Sequence, residues 1–310
     1  MKTLLIWMSL LAFSFIPNRI ASQVAIQLDS QKSSIVKRFN SEQLLAHVKI
    51  LSNDSLQGRR TATEGAQMAR DYITKQLDFL NVEPLGETYE QAFSFRDRND
   101  SVSGINLLAK IEGTEPSRGF IVLSAHYDHE GVKNDQIYNG ADDDASGVAG
   151  LLAFADYFKN NPPRHSVILA FFDAEELGLQ GSKYYVSNPV IPVKDIAFNI
   201  NLDMVSRNEN NEIYVVGADT KSSFKSVLTK NSQINGISIL IGHDGTDGKQ
   251  DWTYSSDHGS FHQKGIPFLY FGVEDHKDYH QPTDDFENIQ PQFFINVVES
   301  IITIFEQLDN

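Results

Sequence analysis

Residues 120–157 have the sequence FIVLSAHYDHEGVKNDQIYNGADDDASGVAGLLAFADY, and this stretch decides the fold. It opens with an uninterrupted apolar run at 120–125, which is typical of a strand that is covered on both faces of a sheet. It closes with apolar residues at helical spacing over 146–158, which predicts a buried helix. A buried strand followed by a helix is the repeating unit of an α/β domain.

Apolar runs and amphipathic segments alternate along the rest of the chain in the same way. We expect further strands at 90–95, 105–111, 166–172, 196–202, 213–216, 237–241 and 268–271. We expect further helices at 41–51, 65–79, 178–186, 222–228, 256–263 and 291–308. This alternation predicts an α/β fold with three layers, in which a mostly parallel central sheet carries helices on both faces.

The first residues have the layout of a secretory signal peptide. Lys2 precedes an apolar run at 4–15, and small residues follow at Ala21 and Ser22. We therefore predict a signal peptide over 1–22, a single catalytic domain over 23–310, and export to the periplasm or the exterior. A buried N-terminal helix is the structural alternative. The run is shorter than the roughly 20 residues of a membrane span, and no later segment is longer, so no membrane span is expected.

Charge and composition narrow the set of partners. The formal net charge is −15, which makes nucleic acids and anionic lipid surfaces unfavourable partners. The chain has no cysteine, which excludes disulfides and thiolate ligands. Export without disulfides fits a bacterial periplasm or exterior better than a eukaryotic one. We favour a monomer.

Residues that suit metal chemistry follow several of the predicted strands. His126 and Asp128 are two positions apart at a strand end, so their side chains point to the same side. His126 can then bind a metal through one ring nitrogen while Asp128 holds the other ring N–H. A surface pair is the alternative, because such triplets are common.

Three aspartates in succession occupy 142–144 at the start of the predicted helix. Two like charges about 4 Å apart repel by roughly 4 kcal/mol at the effective dielectric near a protein surface, so this cluster predicts a bound cation. The helix dipole offers an alternative, but its roughly 0.3–1 kcal/mol per charge accounts for one aspartate rather than three. Asp143 is the candidate to bridge two metals.

Carboxylates also follow two other buried strands. Glu175 and Glu176 are neighbours at a strand end and therefore project in different directions, which suggests that Glu176 is a ligand and Glu175 a general base. An ordinary helix start is the alternative. Asp203 follows the strand at 196–202, and His280 lies in a polar loop after the last strand.

Together these residues predict a two-metal site. A set of two imidazoles and three carboxylates suits paired Zn²⁺. Two zinc ions roughly 3.5–4 Å apart turn a bridging water into a hydroxide nucleophile and polarise the carbonyl that it attacks. The predicted metal ligands are His126, Asp143, Glu176, Asp203 and His280.

At this point the chain resembles the M28 zinc peptidases, which are aminopeptidases with a phosphorylase/hydrolase-like α/β fold. The motifs that carry the resemblance are HYD at 126–128, GADDDASG at 140–147, AEELG at 174–178, LDM at 202–204, SDH at 256–258 and YH at 279–280. The resemblance implies that His126 and Asp203 hold one zinc and that Glu176 and His280 hold the other. It implies that Asp143 bridges them and that Glu175 is the proton shuttle.

The predicted function is that of an exported two-zinc aminopeptidase acting on peptides with a free N-terminus. The short segment between 95 and 106 leaves no room for the protease-associated domain of some members. Glutaminyl cyclases look like relatives that keep one zinc, whereas this chain keeps all five ligand positions. Glutaminyl cyclisation, another amide hydrolysis, and a non-catalytic peptide-binding module are the alternatives. Tyr254 is either an oxyanion donor or a packed aromatic, and His129 is expected to line the cleft.

Overall fold

The structure is a computed structural model that describes residues 38–310. These residues form one compact unit, Arg38–Asn310. The predicted signal peptide at 1–22 and the first part of the predicted catalytic domain, 23–37, lie outside the described residues. No helix in the described part of the chain combines the length and apolarity that a membrane crossing requires.

Strands appear at the predicted apolar runs and at several further places. In chain order they are β1 Glu83–Pro84, β2 Glu90–Asp97, β3 Asp100–Ile111, β4 Phe120–His126, β5 Gly131–Lys133, β6 Gln136–Tyr138, β7 Ser166–Phe172, β8 Ile196–Leu202, β9 Glu212–Val216, β10 Gln233–Ile234, β11 Ile237–Ile241 and β12 Phe268–Gly272. The hairpin β5–β6, which the sequence analysis did not predict, stands apart as a small second sheet.

The other ten strands form one mixed sheet. Its order is β1-β3-β7-β4-β8-β12-β9-β11-β10, and β2 pairs with β3. The central strands β7, β4, β8 and β12 run parallel to one another, while β3 and β9 flank them in the antiparallel direction. The predicted three-layer α/β fold is confirmed, with parallel pairing concentrated at the centre of the sheet.

The helices coincide closely with the predicted segments. They are α1 Ser41–Leu51, α2 Glu64–Phe79, α3 Gly147–Phe158, α4 Gln180–Ser187, α5 Ser222–Lys230, α6 His258–Gln263 and α7 Pro291–Leu308. Side chains fix two of the helix starts: the Asn40 side chain accepts hydrogen bonds from the first turn of α1, and Thr63 does so for α2. Buried residues surround α3 on all sides, which explains its almost wholly apolar sequence.

Alternate residues of the central strands pack into two cores. Ile121 and Leu123 of β4 face a core shared with α1, α2, α3, α5 and α7. Val122, between them, faces the opposite core with α4 and α6. This alternation places helices on both faces of the sheet. Because the four central strands are parallel, their carboxyl ends meet at one edge, where ligand sites of open α/β sheets form.

Candidate metal centre

The carboxyl ends of the central strands bring the predicted site residues together. His126 is the last residue of β4, and Glu176 and Asp203 come shortly after β7 and β8. Asp143 lies in the irregular turn Ala141–Ser146 that leads into α3. His280 lies in the loop after β12 and has left-handed backbone torsions. All five predicted metal ligands therefore converge on one cleft.

Asp143 stands at the centre of this group, and its two carboxylate oxygens face different imidazoles. Its Oδ1 lies 3.2 Å from His126 Nε2, and its Oδ2 lies 3.2 Å from His280 Nε2. His126 Nε2 is also 3.6 Å from Asp203 Oδ1. His280 Nε2 is also 3.2 Å from Glu176 Oε2. The five side chains thus form two groups of donor atoms with Asp143 common to both.

These separations fit zinc. With bonds of about 2.0–2.2 Å and angles of roughly 90–110°, two donor atoms on one zinc lie roughly 2.8–3.6 Å apart. The distances around Asp143 fall within this range. Moreover, Oε1 of Glu176 is buried and has no hydrogen-bond partner, which is costly unless a cation satisfies it. The residues present therefore fit a pair of zinc ions.

Electrostatics separate the ionised carboxylates from one that holds a proton more readily. Burial alone would raise the pKa of Asp143, but contact with His129, His126 and His280 holds this pKa well below its usual range. Burial would also raise the pKa of Glu176, but His129 and His280 lower it to about 2. Burial raises the pKa of Glu175 well above its usual range, and the nearby Glu176 carboxylate adds to this shift. Adjacent carboxylates with divergent pKa values suit different roles.

Of the three consecutive aspartates, only Asp143 points its carboxylate at the two histidines. The carboxylate of Asp142 accepts hydrogen bonds from Ser206, through its N–H and its hydroxyl, and contacts His276 Nε2 at 3.0 Å. The carboxylate of Asp144 accepts main-chain N–H bonds from His126, Gly147 and Met204. Asp142 and Asp144 therefore hold neighbouring loops together, and burial together with the Asp203 carboxylate raises the pKa of Asp144 well above its usual range.

Asp128 differs in detail from the sequence-based expectation. The ring nitrogen Nδ1 of His126 lies 3.0 Å from the main-chain carbonyl oxygen of Asp128, while the carboxylate Oδ1 is farther away at 3.7 Å. The Asp128 carboxylate instead accepts the main-chain N–H groups of Glu175 and Glu176, at 3.0 and 3.4 Å. Asp128 thus links the histidine of one strand end to the paired glutamates of the next.

The cleft also contains residues that sequence reasoning missed. Trp252, Tyr270 and Tyr279 line it beside the five candidate ligands. The Tyr279 ring stacks on the His280 ring with centroids 4.0 Å apart, which orients the imidazole. An aromatic residue directly before a histidine was the available signal. Tyr254 is 53% exposed and packs against His262, so it does not line the cleft.

Two further residues of the sequence motifs are buried close to the cleft. His258 Nε2–H donates a hydrogen bond to the main-chain carbonyl of Trp252, and the His258 ring packs on Phe268 and Tyr270. It supports the wall of the cleft rather than the metal group. His129, expected to line the cleft, is instead fully buried, with Nδ1 2.8 Å from Glu176 Oε1.

Comparison with known families gives a direct match. The model of the family described as "Peptidase family M28" matches residues 106–305. Aminopeptidase YwaD of Bacillus subtilis is 32% identical over 183 residues, which cover 56% of this chain and 37% of that protein. The chain thus spans well under half the length of this relative.

Solved structures with the same fold include enzymes of two kinds. A glutaminyl cyclase from Porphyromonas gingivalis superposes with a TM-score of 0.70 at 19% identity, covering 88% of this chain and all of that one. BSAP, a zinc aminopeptidase from Bacillus subtilis, superposes with a TM-score of 0.68 at 18% identity, covering 85% of this chain and 95% of that one. At these identities the likeness concerns the fold.

Proposed function

Because the chain belongs to peptidase family M28, we propose that it is a two-zinc aminopeptidase that removes the N-terminal residue of peptides. The observation that carries this proposal is the position of Asp143, whose two carboxylate oxygens each lie 3.2 Å from a different histidine. His126 and Asp203 would hold one zinc, Glu176 and His280 the other, and Asp143 both. Bound there, the two zinc ions would activate water at neutral pH and polarise the scissile carbonyl.

Glu175 is the residue that moves the proton in this proposal. It lines the cleft together with the candidate ligands, and burial, aided by the nearby carboxylates of Glu176 and Asp203, raises the pKa of its carboxyl. A carboxylate with a raised pKa accepts a proton from the attacking water and then gives it to the departing amine. Asp128 fixes the main chain of Glu175 through a 3.0 Å hydrogen bond. We therefore assign Asp128 the role of aligning the general base with His126.

The charge of the cleft favours a substrate with a free N-terminus. The cleft is lined by the carboxylates of Asp143, Glu175, Glu176 and Asp203, and by Asp275, which is exposed to solvent. Negative potential concentrated in a cleft attracts an ammonium group. A peptide with a free N-terminal ammonium group is therefore attracted to the cleft more strongly than a peptide whose N-terminus is blocked.

Glutaminyl cyclisation is the second candidate function, since a glutaminyl cyclase shares this fold at a similar TM-score. His126 and His280 both lie beside Asp143, which favours two metals in this chain. The resemblance to the M28 zinc peptidases implies that the related glutaminyl cyclases keep only one. A single zinc per chain would reverse this preference.

Export is the remaining part of the proposal. Lys2, the apolar run at 4–15, and the small residues Ala21 and Ser22 support cleavage of a signal peptide near residue 22. N-terminal sequencing of the protein secreted by an expressing bacterium tests this directly. A first residue close to Gln23 supports export, while an intact Met1 on exported protein overturns cleavage. A monomer stays the predicted oligomeric state.

The central experiment combines metal analysis with a substrate panel on one preparation. We expect about two zinc ions per chain, hydrolysis of aminoacyl-nitroanilides, and loss of this activity after chelation with recovery when zinc returns. N-acetylated versions of the same substrates are the matched control and should not be cleaved. Cyclisation of glutaminyl peptides without aminoacyl hydrolysis would support the second candidate instead, and an inactive protein loaded with two zinc ions would refute both activities.

A further inference from the structure

His129 is a buried imidazole that the roles described above do not use. Its side chain has no exposed surface. Neither of its ring nitrogens has a hydrogen-bond partner among the described residues. A buried polar atom without a hydrogen-bond partner destabilises the folded state, so the two nitrogens of this ring are unfavourable there unless something binds them.

The ring is held in place by a close approach of the main chain. Gly140 lies against it in the left-handed region, with φ at +57°. A Cβ atom added to Gly140 would lie 2.5 Å from His129 Cγ, so any larger residue would displace the ring. Position 140 therefore has two reasons to be glycine: the backbone torsion and the space that the imidazole needs.

The Nδ1 atom of His129 points into the metal centre. It lies 2.8 Å from Glu176 Oε1 and 3.8 Å from Asp143 Oδ2. The His129 and Glu176 atoms form a close contact that does not meet the geometry of a hydrogen bond, and neither atom has another hydrogen-bond partner among the described residues. A separation of 2.8 Å is also the one expected for two ligands of one cation.

His129 is thus a fully buried side chain without a hydrogen-bond partner among the described residues, and its Nδ1 atom faces Glu176 and Asp143. We propose that His129 Nδ1 is an additional ligand of the zinc held by Glu176 and His280. This inference rests on the proposed function, since it requires a metal at that position. It makes the two metal positions unequal, because the zinc near Glu176 would have two imidazoles and the zinc near Asp203 one.

The unequal ligand sets have a measurable consequence. Partners that only orient a ligand typically change metal affinity by about 10–100-fold, and the loss of a ligand itself should cost at least as much. Removal of His129 should therefore weaken one zinc by about 100-fold and leave the other close to its original affinity. The more weakly held zinc should be the one next to Glu176.

The test compares zinc-loaded wild type with His129→Phe, a ring of similar shape without nitrogens. X-ray absorption at the zinc edge counts imidazoles, and competition with a chelator measures the affinity of each zinc. We expect the imidazole signal per zinc to fall by about a third in His129→Phe, together with the affinity loss. His165→Phe is the matched control, since His165 is also buried but lies 2.7 Å from Asp309 at the opposite end of the strands.

The possible outcomes separate this inference from the proposed function. Unchanged affinity, or weaker zinc with an unchanged imidazole signal, overturns the ligand assignment; the second result would leave His129 as a hydrogen-bond partner of Glu176. A wild type with one zinc whose imidazole signal falls in the variant refutes the two-zinc proposal and supports this inference. A wild type without zinc refutes both.

Folding of the variant is checked on metal-free protein. A single cooperative thermal unfolding transition of metal-free His129→Phe shows that the variant folds, and its midpoint is the reference for the effect of zinc. Zinc should raise the unfolding temperature of the variant less than that of the wild type. His129→Gln serves as a second variant if phenylalanine is too large beside Gly140, and the same loss of imidazole signal is expected from it.

Discussion

The acidic side chains at the two ends of the central strands have different surroundings. At the amino ends, before β4 and β7, acidic groups have partners within the protein: Glu115 contacts Arg118 and Arg164, and Asp309 Oδ1 lies 2.7 Å from His165 Nδ1. At the carboxyl ends, buried carboxylates from several loops meet around His126. Arg59 is the only arginine or lysine among the fully buried side chains of residues 38–310.

Arg59 does not neutralise any of these carboxylates directly. Its guanidinium donates hydrogen bonds to main-chain carbonyls of Leu51, Tyr127, Asn139 and Gly140. It therefore fixes the loops beside the site, and its charge acts on the nearby carboxylates of Asp143, Asp128 and Asp144 without a direct contact. At the amino ends the acidic groups contact the protein's own groups, whereas the carboxylates at the carboxyl ends also form a candidate metal centre. Contacts that stabilise the fold and groups that could bind a ligand therefore lie at opposite edges of one sheet.

The largest effect on the carboxyl ends of the strands is expected from Asp143→Ala. Because Asp143 is common to both donor groups, we expect the variant to lose most of its zinc, and its hydrolysis of aminoacyl-nitroanilides to fall by about 10⁴-fold or more. Elemental analysis and initial rates on the same sample measure both effects. Two zinc ions retained in Asp143→Ala would refute the bridging role.

A smaller but more specific effect is expected from Glu175→Gln. The substitution keeps the size of the side chain and removes its ability to accept a proton. We expect the zinc content to stay unchanged while turnover falls by about 10²–10⁴-fold, the usual contribution of general acid–base catalysis. This result separates proton transfer from metal binding within the same cleft. Turnover near the wild-type value in zinc-loaded Glu175→Gln would remove the role of general base.

Three of the candidate ligands could be placed from the sequence because each lies at or just after a strand that its own apolar residues identify. His126, Glu176 and Asp203 come at or just after runs buried on both faces, so their positions followed from the predicted sheet. The loop that holds His280 was placed by its polar motif. The central strands and the helices were predicted for the same reason, since their apolar periodicity is local information.

What the sequence did not reveal depends on contacts between distant segments. The carboxylate of Asp142 is occupied by Ser206, and that of Asp128 by the main chain of Glu175, so neither role is visible from neighbouring residues. His129 lies in a loop without periodicity, and the groups beside its ring, Gly140 and Glu176, come from distant parts of the sequence. The hairpin β5–β6 was missed because each of its strands has only three residues.

The smallest expected effect belongs to the amino ends, where Asp309→Ala should change stability alone. The Asp309 carboxylate accepts bonds from the main-chain N–H groups of Arg164 and His165 and contacts His165 Nδ1. Leaving these buried donors unpaired should cost about 1–3 kcal/mol in the free energy of unfolding, with zinc content and turnover unchanged. Thermal unfolding alongside zinc analysis measures the two quantities.

The stability difference between wild type and Asp309→Ala should depend on pH. Burial alone would raise the pKa of Asp309, but hydrogen bonds from His165 and Arg164 lower this pKa below its usual value. A carboxyl group whose pKa is lower in the folded state stabilises the fold above its unfolded pKa of about 3.9, and this contribution is lost as the pH falls further. The gap in unfolding temperature between wild type and Asp309→Ala should therefore be full at neutral pH and narrow below about pH 4. If zinc were lost together with the unfolding temperature, the two ends of the strands would be coupled, and the division between them would fail.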